Sequence, residues 1–312
     1  MQIGMIGLGK MGMNMVKRLL KGRHKVVVYD RSPEIVKEFA MSARGIRAAS
    51  SLEEFNALLK RPRVVWLMIP AGKPVNDTID FLKGMLSRGD LVIDGGNSFY
   101  KDDIRHAQQL GERGIRYMDV GVSGGIWGLK EGYSLMAGGN KKDFNYIETA
   151  LKTLAPKDGY LHCGPVGAGH FVKMVHNGIE YGLMAAYGEG FDILHGSPYA
   201  AHLDLGKIAG LWNHGSVVRS WLLELVEDVF KKDRDLSGIR GYVEDSGEGR
   251  WIVEQAVESG IPAPVTAISL FQRFRSREED SFSDKLQAAL RKEFGGHGVL
   301  AKDRKTARRA DK

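Results

Sequence analysis

Cysteine is almost missing from this 312-residue sequence. Cys163 stands alone, so no disulfide can close within the chain, as expected for a reducing compartment. Long apolar runs are missing too, and nothing approaches the length of a membrane span. The apolar opening MQIGMIGLG is too short and too glycine-rich for a secretory signal, so a cytoplasmic protein without a membrane partner is expected. The nine histidines lack His-x-His or His-Glu-x-x-His spacing, and no metal is expected. Internal repeats, low-complexity linkers and nucleic-acid-reading motifs are also absent. The net charge of +7 owes much to the tail AKDRKTARRADK, which has six basic side chains against two acidic ones. That tail reads as a solvated, disordered end, and no nucleic-acid partner is expected. The remaining positive charge suits an anionic small molecule.

What is present is ample for two domains. Hydrophobic residues make up 43% and charged residues 27%, as in ordinary globular proteins, and the length supports a sizeable core. Strand candidates are QIGMIG, KVVVYD, RVVWLMIP, DLVIDG and RYMDVG. Between them lie helix-like segments at Met11–Lys21, Pro33–Met41, Leu52–Leu59, Pro74–Leu86 and Asp102–Arg113, and residues 134–163 read as strand, helix, strand. Strands alternating with helices predict an α/β, doubly wound Rossmann-type parallel sheet with right-handed crossovers over residues 1–165. β-Branched runs then disappear. Helical patterns follow around 167–195, 203–211, 217–231, 248–259, 264–275 and 283–292, which predicts a smaller all-helical domain over 166–299 and a basic tail over 300–312.

The first turn reads GLGKMG, with Gly7, Gly9 and Gly12 directly after a strand and opening a helix. The glycines allow a tight turn and bring backbone amides, with Lys10 and Met11, against a pyrophosphate at the helix N-terminus. Asp30 lies 18 residues beyond Gly12, where a carboxylate can hold both ribose hydroxyls of NAD and repel the extra phosphate of NADP. Arg31 alongside leaves lower-preference NADP use open. In this fold ligands bind at the carboxyl ends of strands, which puts Ile69 and Pro70 of RVVWLMIP and Asn97 of IDGGNS at the cofactor. IDGGNS and VSGG are both strand-end turns whose backbone amides, with Asn97 and Ser123, can receive a carboxylate.

The stretch GHFVKMVHNGIEYG, residues 169–182, is the least ordinary in the chain. On a helix, Lys173, Asn177 and Glu180 share one face, flanked by His176 and Tyr181. Lys173 and Glu180 stand about 10 Å apart along the axis, a spacing suited to opposite ends of a small substrate. Phe171, Val172, Val175 and Ile179 are expected to pack the other side, and the surrounding glycines to let something approach the backbone. A partly buried lysine can act as a base near neutral pH, taking a hydroxyl proton while hydride leaves the same carbon. The glutamate can then exchange a proton with a neighbouring carbon. The same polar face could instead line a domain interface.

GLGKMG, IDGGNS, VSGG and above all GAGHFVKMVHNGIEYG closely resemble the decarboxylating 6-phosphogluconate dehydrogenases, in their short, NAD-preferring branch. The resemblance runs from Met1 to about Val299. It implies oxidative decarboxylation of 6-phosphogluconate to ribulose 5-phosphate and carbon dioxide, a step of the pentose phosphate pathway, without a metal. Lys173 would be the base at the C3 hydroxyl and Glu180 the acid at C1. Ser123, Gly124 and Gly125 would hold the C1 carboxylate, and Asn97, His176 and Asn177 the hydroxyls. Tyr181, Arg273, Arg291 and His297 would meet the phosphate, the last two reaching in from a neighbouring subunit of a dimer or tetramer.

One departure stands out. Long relatives carry Lys-Gly-Thr-Gly-Lys-Trp with the first lysine and the threonine on the phosphate; this chain has SGEGRW, with Glu248 in the threonine's place. A carboxylate near a phosphate is unfavourable, so either Arg250 compensates or Glu248 turns away. The nearest alternative function is another β-hydroxyacid dehydrogenase, such as one for 3-hydroxyisobutyrate, which needs neither Glu180 nor the Arg291/His297 pair. A dinucleotide-sensing or nucleic-acid-binding protein with a disused site is a further alternative, against which the intact Lys173–Glu180 pair argues.

Overall fold

The structure, a computed structural model, describes residues 1–42, 45–296 and 298–300. Its strands are β1 (Gln2–Ile6), β2 (Lys25–Tyr29), β3 (Ile46–Ala48), β4 (Val64–Leu67), β5 (Leu91–Asp94), β6 (Arg116–Ser123), β7 (Ser134–Gly139) and β8 (Tyr160–Gly164). Between them run α1 (Lys10–Lys21), α2 (Pro33–Ser42), α3 (Leu52–Leu58), α4 (Lys73–Met85), α5 (Tyr100–Gly111), the one-turn α6 (Gly128–Glu131) and α7 (Lys141–Leu154). Only helices follow: α8 (Ala168–His195), α9 (Leu205–Trp212), α10 (Trp221–Lys232), α11 (Gly247–Glu258), α12 (Pro264–Arg275) and α13 (Phe282–Gly295).

The eight strands form one sheet in the order β3-β2-β1-β4-β5-β6-β7-β8. Its strands read as continuous apolar runs because both faces are covered. Val26 and Val28 of β2 point into a core with Met15 and Leu19 of α1 and Ile147 and Leu151 of α7. Val27 points the other way, to Phe55 of α3 and Ile79 and Leu82 of α4. Each such side chain, fully buried, stabilises the fold by about 1.5–3 kcal/mol, and this alternation pins the register, since a one-residue slip would exchange the two cores.

Two features differ from the sequence-based expectation. The short edge strand β3 carries too few apolar residues to announce itself, yet it pairs with β2 through Val26–Ile46 and Val28–Ala48. Second, the sheet is not wholly parallel: β7 runs antiparallel to β6. The link between them, residues 124–133, holds only a 3₁₀ turn and α6, which is too short for a crossover helix. Strand β8 then resumes a parallel pairing with β7.

By internal contacts the chain forms two compact units, one of Met1–Met184 with Ser246–Thr266, the other of Ala185–Asp245 with the described residues of Ala267–Lys312. The first unit therefore includes the front of α8 and all of α11. Helix α11 is tied to α5 by Phe99 stacked on Trp251 with ring centroids 4.9 Å apart, by Tyr100 hydroxyl to Gln255, and by Lys101 to Glu258 at 2.7 Å. The second unit has its own small core of Phe191, Leu205, Ala209 and Leu223 where α9 and α10 pair. Among the described residues, no helix is long and apolar enough to cross a membrane.

Candidate active site

The glycine turn after β1 is built for close approach. Gly7 has φ +99°, and a Cβ there would lie 2.4 Å from the Met68 carbonyl oxygen. A Cβ on Gly12 would meet the Gly7 carbonyl oxygen at 2.1 Å, so helix and turn can pack only with glycine at both places. Gly9 is different: it is the N-cap of α1, it has no side-chain cap, and nothing would touch a Cβ placed there. The start of α1 thus has no side-chain cap and open space beside Gly9, with exposed Lys10 and half-buried Met11 next to it and no acidic residue in the first turn. Such an N-terminus fits a pyrophosphate. Asp30 closes the cradle, accepting from the Leu8 amide at 2.7 Å and from the Ser32 amide at 3.0 Å, with exposed Arg31 between. Half-buried Ile69 lies under the Gly7 turn, and its carbonyl oxygen faces Gly96 in the turn after β5. Pro70 and Asn97 stand exposed at those strand ends. Asp94 shapes the second turn, accepting from the Gly96 amide at 3.0 Å and the Ser98 hydroxyl at 2.7 Å.

Helix α8 inverts the usual burial. Its buried stripe carries His170, Lys173, Asn177 and Tyr181, with Met174 and Gly178. Val172 and Ile179, expected to pack the far side, are exposed at 40% and 59%. The cause is the way α8 is anchored to the sheet. Asp119 of β6 accepts the Gly167 amide at 2.7 Å and the His170 amide at 2.8 Å, capping the helix from the strand. Buried Asp103 accepts the Tyr117 hydroxyl and pairs with His170 Nδ1, both at 2.7 Å. Burial pushes the Asp103 carboxyl up to about 7. The His170 imidazole, which burial alone would push down, is held up at about 10 by Asp103 and then Asp94 and Asp119. Asp94, Asp103 and His170 are close enough to resemble a metal trio, but each already binds protein partners in this anchor.

Glycines complete the docking. A Cβ on Gly169 would fall 2.3 Å from the Met136 carbonyl oxygen, and one on Gly121 of β6 would fall 2.4 Å from Lys173 Cβ. On the opposite side of α8, a Cβ on Gly178 would strike Ile252 of α11 at 2.4 Å, and one on Gly249 of α11 would strike the Tyr181 ring at 2.5 Å. What approaches the helix through its glycines is the protein's own sheet and α11.

That docking sets Lys173 beside the end of β6. Its Nζ donates to Asn177 Oδ1 at 2.6 Å and lies 3.4 Å from His176 Nδ1. His176 reaches Ser123 Oγ through Nε2 at 3.3 Å, and its Nδ1 lies 3.8 Å from Glu180. Glu180 is half-exposed on the next turn, and Gly124 and Gly125 continue from Ser123 with φ +128° and +53°. Burial lowers the Lys173 pKa from the ordinary lysine value, and the negative charges of Glu180 and then Glu248 partly offset it. Buried Tyr181 lies 3.0 Å from Ser246 Oγ and accepts the Ser246 amide at 2.8 Å. The buried carboxylate of Glu248 accepts Asn177 Nδ2 at 3.1 Å.

The first unit therefore gathers His176, Asn177, Glu180 and, through His176, Ser123 around the Lys173 amine, with Tyr181 farther along the same helix. Residues 2–164 match the family described as the NAD binding domain of 6-phosphogluconate dehydrogenase, and residues 169–310 match the 6-phosphogluconate dehydrogenase C-terminal domain. The chain belongs to the 6-phosphogluconate dehydrogenase family. The NAD(+)-dependent, decarboxylating 6-phosphogluconate dehydrogenase of Haloferax volcanii is 42% identical over 305 residues, covering 97% of this chain and all of that protein. The Plasmodium falciparum 6-phosphogluconate dehydrogenase structure superposes with a TM-score of 0.81 at 30% identity, over 97% of this chain and 67% of that one. A Salmonella typhimurium 3-hydroxyisobutyrate dehydrogenase, at 19% identity and a TM-score of 0.70 over 88% of this chain and 93% of its own, shares the fold.

Within this family member, Arg273 and Arg291 lie in the second unit, where Arg273 donates to the Glu244 carbonyl oxygen at 2.9 Å and Arg291 is exposed. His297 and residues 301–312, most of the basic tail, lie outside the described residues. Sequence reasoning passed over Asp94, Asp103, Asp119 and His170. For Asp94 and Asp119 the one signal was a carboxylate at the end or middle of an otherwise apolar strand, LVID and RYMDVGVS, where an unpaired charge would be too costly; Asp103 and His170, on helices, gave none.

Proposed function

We propose that this chain catalyses oxidative decarboxylation of 6-phosphogluconate to ribulose 5-phosphate and carbon dioxide, with NAD as the preferred oxidant. The observation that carries the reading is the buried Lys173 amine, tethered by Asn177 and linked through His176 to Ser123, with Glu180 one turn beyond His176. Burial favours its neutral form, as a base requires. Lys173 takes the C3 hydroxyl proton. Gly7, Gly9, Gly12 and Asp30, with Lys10, Met11, Arg31, Ile69, Pro70 and Asn97 nearby, would hold NAD, which would supply the hydride acceptor. The β-keto acid then loses carbon dioxide, its electron pair flowing to the ketone oxygen, to which protonated Lys173 donates a hydrogen bond. Glu180 delivers a proton to C1. Ser123 with Gly124 and Gly125 receives the carboxylate, and Asn97, His176 and Asn177 the hydroxyls. On the family resemblance, Tyr181 and Arg273 serve the phosphate, with Arg291 and His297 supplied by a neighbouring subunit.

The enzyme works as a homo-oligomer in the cytoplasm. Support for assembly is the apolar face of α8, where Val172, Ile179 and Leu183 are exposed at 40%, 59% and 43%. The reaction is tested by near-ultraviolet absorbance with 6-phosphogluconate and NAD while carbon dioxide is trapped. Reduced cofactor matched by carbon dioxide is expected. Reduced cofactor alone would mean a non-decarboxylating hydroxyacid dehydrogenase, and no reduction would refute the reading.

A further inference from the structure

Glu248 is the one carboxylate that a second helix, α11, brings to the Lys173 cluster, and nothing in the reaction above uses it. It is 4% exposed and its Oε1 lies 3.1 Å from Asn177 Nδ2. The same amide presents Oδ1 to Lys173 Nζ at 2.6 Å. An asparagine amide has two ends, and only one orientation serves a lysine. An ammonium offers donors alone and needs Oδ1, while a neutral amine could instead accept from Nδ2 and lose its lone pair; with Oδ1 on the lysine, Nδ2 points away into buried space. An unpaired NH₂ there would cost about 1–3 kcal/mol. Glu248 supplies the acceptor. Because a carboxylate has no donor of its own, a flipped amide would meet it oxygen to oxygen, and the flip is blocked.

We propose that Glu248 is a positioning residue for the reaction: through Asn177 it locks the Lys173 amine so that one N–H is spent on Oδ1 and the lone pair is left for the substrate. The inference rests on the reading of Lys173 as the base. The close seating of α11 on α8 at Gly178 and Gly249 makes the link rigid, since neither helix has room to shift toward the other. Glu248 also acts through charge. The charged and titratable groups facing Lys173 are His176 and Glu180 from its own helix and Glu248 from α11; β6 presents uncharged Gly121 and Ser123. Removing a negative charge from this set disfavours the ammonium, so the amine titrates at lower pH.

The test uses full-length enzyme without substrate. Competitive acylation with acetic anhydride, quantified at the Lys173 peptide across pH, reads the titration of that amine. Glu248→Gln should move the midpoint to lower pH. Glu248→Asp keeps the charge but loses reach; its midpoint should stay near the parent's while kcat falls on the order of 10²-fold, the usual effect of misplacing a reacting group by about 1 Å. KM for NAD should hold in both. An unmoved midpoint in Glu248→Gln, or parental kcat in Glu248→Asp, overturns the proposal. Should the parent fail to oxidise 6-phosphogluconate, the proposed activity falls, while the labelling midpoint still decides the role of Glu248.

Discussion

A carboxylate at Asp30 does two jobs with one set of lone pairs. Its oxygens already accept the Leu8 and Ser32 amides at 2.7 and 3.0 Å, so the side chain is fixed before any ribose arrives. A fixed negative charge at the mouth of the cradle is the feature proposed to discriminate against the extra phosphate of NADP. Replacing Asp30 by Ser should raise kcat/KM for NADP relative to NAD by about tenfold or more, a step of roughly 1.4 kcal/mol. Steady-state rates with both cofactors give the ratio, and an unchanged ratio would place selectivity in another residue. Lys173 makes the opposite point at the same scale. Burial depresses its pKa, while the carboxylates around it keep the shift from going further, so one amine can serve as base and then as hydrogen-bond donor.

Helix α8 is the element on which the site depends, and its polar stripe is held inward by the strand beneath it. Asp119 supplies two charge-assisted bonds to the helix start, and Asp103 clamps His170 one turn before Lys173. Replacement of Asp119 by Asn weakens both caps, because the amide has one acceptor oxygen in place of two. A loss of about 1–3 kcal/mol is expected, visible as a thermal midpoint lower by several degrees. Hydrogen exchange should locate the loss at Gly167–Phe171. Parental exchange there would mean that the glycine contacts with β6 and β7 suffice to hold the helix.

For the whole molecule, the apolar face of α8 is the feature to explain. A lone helix this exposed would normally turn Val172, Ile179 and Leu183 inward, yet its polar side is already taken up by the sheet and α11. A second copy is the partner proposed for that face. Sedimentation should find the parent as a dimer or larger, and Ile179→Glu should shift it toward monomer, since a buried unpaired charge is strongly unfavourable. A parental mass for that variant would move the interface elsewhere.

Local chemistry carried much of this into the sequence. Short continuous apolar strands, GLGKMG with Asp30, and Lys173, Asn177 and Glu180 at helical spacing are short-range patterns, and short-range patterns survive without coordinates. Three things did not. The antiparallel return of β7 depends on the length of a link rather than on its composition. Which face of α8 turns inward could not be read from hydrophobicity, because the partners of its polar groups, Asp103 and Asp119, lie 67 and 51 residues from His170. Glu248 stands 71 residues from Asn177 and reads in the sequence as a misplaced charge beside a phosphate. The sequence by itself determined the glycine turn of the dinucleotide-binding domain and pointed to the amine proposed as the base, since both are local. Only the tertiary structure decided what surrounds that amine, because a buried charge is tolerated or refused according to partners the chain brings from far away.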